Sequence, residues 1–102
     1  MYIEDILAEV TGLVEIAAED ARIPAGAFGT IHSATFALRR DGGPEYQIKL
    51  TEDLSVAMLR LEWAIRRRDP GAIERAQTLL RDLKAALAND DMAHSECATS
   101  DE

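Results

Sequence analysis

The sequence predicts an all-α protein, a small antiparallel bundle of three to four helices. Three observations carry that class. Apolar residues recur at steps of three and four along most of the chain. Alanine is abundant while only 5% of residues are aromatic, a balance that favours helices over sheets. Proline and glycine cut the chain into pieces of helix length. With 102 residues, 47% hydrophobic and 29% charged, one helical domain over 1–89 is expected, followed by a disordered acidic tail over 90–102. A chain this short buries only about two-thirds of its unfolded surface, so a partner or a second copy would add useful core.

The first helix runs from Tyr2 to about Ala21. Ile3, Ile6, Leu7, Val10, Leu13, Val14 and Ala17 lay one stripe along it, and Gly12 falls on the opposite face, where it weakens a helix without stopping it. "RIPAGAFG" ends the helix, because Pro24 pushes Ile23 out of the helical region and two glycines follow. The next segment admits two readings. Phe28, Ile31, Thr35 and Leu38 make a helical stripe that stops at Gly42 and Pro44. Alternatively, Ala34, Phe36 and Leu38 alternate as a strand, "DGGP" turns, and Tyr46, Ile48 and Leu50 return, giving an α+β fold with a hairpin over about 31–50. The alanines favour the helix, with "EYQIKL" as a short extended connector.

Thr51 is placed to cap the third helix, with Glu52 and Asp53 in its first turn. Leu54, Ala57, Met58, Leu61 and Ile65 share one face of it, while Val56, Leu59 and Trp63 share nearly the opposite one. A helix apolar on two faces must be covered twice, either as the central element of the monomer or by a second copy, and a homodimer burying Val56, Leu59 and Trp63 is the expectation. "AIRRRDPGAIERA" raises the question of a phosphate site. Asp69 can cap a new helix with Pro70 in its first turn, which leaves Arg66, Arg67 and Arg68 in the last turn of the preceding one, where cations complement exposed carbonyls. Successive residues also point about 100° apart, so the three arginines do not form one patch. Ile73, Ala76, Leu80, Leu83 and Leu87, flanked by Leu79, then give the last helix a packing seam to about Ala88.

Nineteen acids against eleven bases leave a formal charge of -8, which disfavours direct binding to nucleic acid or anionic lipid. Cys97 is the single cysteine, so no internal disulfide framework is expected. "MYIEDILAEV" carries acids where a secretory signal needs bases, and no window approaches a membrane span. A cytoplasmic protein without membrane association is the expectation.

The most distinctive surface is on the first helix: Glu4, Asp5, Glu9, Glu15, Glu19 and Asp20 lie away from its apolar stripe, with no base before Arg22. These six are the expected partner-binding residues, forming an anionic ridge for a basic protein surface. They face outward, which does not suit a carboxylate-bridged metal site. His32, beside Phe28 and Phe36, is expected as a satisfied, partly buried imidazole. Ser33, Ser55 and His32 lack a nucleophile-elbow context, and no phosphate-cradling glycine loop is present. No catalytic residue, metal or cofactor is expected. The function these features predict is a non-enzymatic regulator or inhibitor that binds a protein partner. A concrete form is a phage- or plasmid-type inhibitor of a nucleic-acid-binding machine, as acidic anti-CRISPR-like proteins are, a comparison resting on charge and size alone. The alternatives are a dimeric helix-turn-helix-like transcriptional regulator, using Arg75, Gln77, Arg81 and Lys84 of the last helix, and a structural oligomerisation module.

Overall fold

The computed structural model describes residues 3–88, together with the bounds of the last helix to Ser100. Among the described residues four helices form: α1 (Ile3–Asp20), α2 (Ala27–Arg40), α3 (Glu45–Arg67) and α4 (Pro70–Ser100). Among the described residues there is no strand, so the 31–50 hairpin does not form. The acidic tail expected over 90–102 lies outside the described residues. The helices make an antiparallel bundle in which α1 and α3 each pack on both α2 and α4 and meet each other only weakly across the diagonal. Neighbours in sequence are joined by short connections, which is why they lie side by side and antiparallel.

The core comes from the expected stripes. Val10, Val14, Ala17 and Ala18 of α1 meet Ala27, Ile31 and Ala34 of α2, Leu54, Ala57, Met58 and Leu61 of α3, and Ala76, Leu80 and Leu87 of α4. Many of these are alanines, which let the helix backbones approach closely. Phe28 stays half-buried at the core's edge. Phe36 turns outward, 66% exposed, as a helix requires when Ala34 and Leu38 turn inward. Gly12 sits on the exposed face of α1 with open space around its Cα. Replacing it with alanine restricts the unfolded chain and adds no clash, so Gly12→Ala should raise stability by about 0.5–1 kcal/mol, read as a higher urea midpoint at unchanged slope.

Two expectations about α3 are corrected. "EYQIKL" is not an extended connector: the helix begins at Glu45. Pro44 already sits at φ -61 and ψ 139, and its carbonyl accepts the Gln47 and Ile48 N–H groups, both at 3.1 Å. The segment is stabilised as helix by Glu45 in the first turn, by a Lys49–Asp53 pair at 3.2 Å with the i,i+4 spacing, and by Leu50, which packs against the core. Thr51 is therefore not a cap. It is fully buried within α3, its hydroxyl donates to the Ile48 carbonyl at 2.8 Å, and the Thr35 hydroxyl of α2 donates to it at 2.8 Å. This buried polar contact is satisfied, and it fixes the register of α2 on α3.

The turn between α3 and α4 forms as expected at its start. The Ala72 N–H donates to the Asp69 carboxylate at 3.2 Å, and Ile73 N–H to the Asp69 carbonyl at 2.9 Å, so Asp69 caps α4 with Pro70 in its first turn. Arg68 ends α3 in the left-handed conformation at φ 54, a position that more often carries glycine.

Candidate functional site

All six acids of the expected ridge are exposed on α1, but the ridge is not uniform. Glu19 pairs with Arg81 of α4 at 3.4 Å, and Glu15 with Lys84 at 3.7 Å. Gln77 and Arg81 also donate to the Ala18 carbonyl, at 2.7 and 3.1 Å. α1 has no base in its own last turn, so α4 supplies the donors that its C-terminal carbonyls need. Glu15 and Glu19 thus fasten α1 to α4, through exposed pairs each worth about 0–1 kcal/mol. Glu4, Asp5, Glu9 and Asp20 make no ion pair among the described residues and present the free anionic surface. The same contacts occupy three of the four residues of the DNA-reading alternative. Of Arg75, Gln77, Arg81 and Lys84, Arg75 alone is left without a partner among the described residues.

Among the described residues, nothing covers the second face of α3. Val56, Leu59 and Trp63 are 50%, 45% and 54% exposed. Beside Trp63, α3 and α4 border a concavity of about 450 Å³ lined by Ala64, Ala72, Ala76 and Leu79, with Arg60, Arg67, Arg75 and the Asp69 carboxylate also on it. The Arg67 guanidinium lies over the indole, 5.6 Å from its centroid, a cation–π arrangement. The arginine triplet therefore divides as its 100° spacing predicts, with Arg67 alone turned to this concavity. A different trio converges there instead. Arg60 and Arg67 are seven residues apart on one helix face, and α4 brings Arg75 beside them, a pairing of elements that spacing within one helix does not reveal.

A second groove, between α2 and α3, of about 510 Å³, holds His32, Phe36, Arg39, Glu52 and Val56. His32 is exposed rather than partly buried, because its place on α2 points past the edge of α3. Its Nε2 lies 3.4 Å from the Ser55 hydroxyl. Glu52 is engaged with Arg39, and no carboxylate contacts the imidazole among the described residues. Both residues sit inside helices, whose N–H groups are engaged in the helix itself. Among the described residues no three His, Cys, Asp or Glu side chains converge as a metal set would, and no helix is long and apolar enough to cross a membrane.

The cations are segregated. Arg39, Arg40, Lys49, Arg81 and Lys84 each pair with a carboxylate, and Asp41, by hydrogen bonding and charge, holds the Arg40 guanidinium above its ordinary pKa. At the α3–α4 corner Arg60, Arg66, Arg67, Arg68 and Arg75 have no carboxylate partner among the described residues. Compared with protein-family models, with curated proteins and with solved structures, the chain finds no match in any of the three.

Proposed function

We propose that the protein is a non-catalytic interaction protein of the cytoplasm, a regulator or inhibitor that docks on a basic protein surface through the outer face of α1. One observation carries this reading: Glu4, Asp5, Glu9 and Asp20 are exposed on α1 and unpaired among the described residues, while the remaining acids of that helix are spent on holding it to α4. Exposed carboxylates on a helix, which stay hydrated at an interface rim, speed encounter with a cationic surface and select against anionic partners. A phage- or plasmid-type inhibitor covering the nucleic-acid-binding surface of another protein is the concrete form of this function that the charge supports.

The test is capture from nuclease-treated lysate with wild type and with the Asp5→Lys, Glu9→Lys double variant, compared by mass spectrometry. Both residues are exposed, so the unfolding midpoint should stay within about 0.5 kcal/mol of wild type. A basic protein held by wild type and weakened at least about tenfold by the reversal is the expected result. Equal retention by both, or an empty capture, overturns the α1 reading. The Glu15→Lys, Glu19→Lys variant serves as a contrast, since it breaks the contacts to Lys84 and Arg81 and should lower stability before it touches binding.

A further inference from the structure

The bundle carries a second surface of opposite character. On α3, Val56, Leu59 and Trp63 follow one another at steps of three and four, an exposed apolar line about 10 Å long. At its C-terminal end the line runs into the alanine-lined concavity that Arg60, Arg67 and Arg75 border. These arginines make no ion pair among the described residues, and the one acid lining the concavity, Asp69, is engaged in capping α4 through the Ala72 N–H.

We infer that this corner of α3 and α4 is a docking groove for an acidic amphipathic helix of a partner protein. Its apolar side chains cover Val56, Leu59 and Trp63, and its carboxylates meet Arg60, Arg67 and Arg75. Charge selects the occupant. A nucleic acid would satisfy the arginines but leave Val56 and Leu59 in water. An acidic helix satisfies both halves, with apolar anchors at helical spacing along the α3 line and carboxylates accepting from the arginines. The Trp63 ring is the natural anchor, since indole buries a large area at small entropic cost, and stacking of Arg67 on one side of it leaves guanidinium edges free to donate.

Trp63 is the single tryptophan of the chain, so its emission reports on the groove directly. The experiment titrates full-length protein with two synthetic helix-forming peptides, one with leucines at i, i+4 and i+7 and glutamates between, the other with lysines replacing the glutamates. The expected result is a saturable blue shift with the glutamate peptide alone. It should weaken at least about tenfold in the Arg60→Glu, Arg75→Glu variant and fall with added salt. Both arginines are exposed, and circular dichroism of the variant should match that of wild type. Absence of a shift at millimolar peptide, or equal response to the lysine peptide, overturns the proposal. So does a shift on concentrating the protein alone with doubling of its mass, which assigns the face to a second copy. A change of Trp63 emission on truncation after Ala88 assigns it to the chain's own C-terminal segment, and tighter binding of an oligothymidine assigns it to nucleic acid.

Discussion

Replacing Leu61 with alanine is expected to remove about 3 kcal/mol or more of folding stability. Leu61 is fully buried on the inward face of α3, the helix that packs on both α2 and α4. Its removed methyl groups therefore leave a space lined by rigid neighbours from several helices. A bundle whose core contains so many alanines has little flexible side chain with which to refill a cavity, which pushes the cost upward from the bare transfer term. For a domain whose whole stability is about 5–15 kcal/mol, such a loss should lower Tm by about 10 °C or more. Urea unfolding checks it, with the midpoint falling and the slope unchanged. Leu59, two positions away, provides the contrast. It is 45% exposed, and Leu59→Ala should cost under about 1 kcal/mol in the free monomer. Equal losses at the two positions would mean that the outward face of α3 is covered in solution.

That contrast was readable from spacing alone, because the two faces of α3 separate cleanly at 100° per residue. The same periodicity set out α1, α2 and the seam of α4. The start of α3 was not readable in this way. Tyr46, Ile48 and Leu50 alternate as a connector or strand would, and the acids after Thr51 imitate a capped first turn. What decides for helix is tertiary: Leu50 packs against the core and Thr51 is buried against Thr35, and neither contact can be seen in a local window. The candidate surfaces divide along the same line. The acids of α1 and the apolar line of Val56, Leu59 and Trp63 belong to single helices, so their spacing showed them. The spending of Glu15 and Glu19 on Lys84 and Arg81, and the convergence of Arg75 on Arg60 and Arg67, join residues from different helices and follow only from how those helices dock. The seven-residue step from Arg60 to Arg67 around Trp63 was the one local signal of that groove.

The turn after α2 carries the other large effect, and it sets one glycine-to-alanine change against another. Gly42 takes the left-handed conformation at φ 70. Its N–H donates to the Arg39 carbonyl at 3.4 Å and the Gly43 N–H to the Leu38 carbonyl at 2.6 Å, the paired contacts of a Schellman helix end. The chain then doubles back so closely that a Cβ on Gly43 would lie 2.7 Å from Leu38 Cδ2 and 3.1 Å from the Leu38 carbonyl oxygen. Leu38 is only 1% exposed, so its side chain cannot swing into solvent to make room. The alternative is to open the turn, which lengthens the bond from Gly43 to Leu38 and shifts Pro44, where α3 begins. Gly43→Ala should therefore destabilise the protein by about 2 kcal/mol, although the same substitution at Gly12 should stabilise it. The two variants, unfolded side by side in urea, should move the midpoint in opposite directions. A neutral Gly43→Ala would show that the turn relaxes without disturbing α3, and the tight return of the chain at Leu38 would then not be what positions the start of that helix.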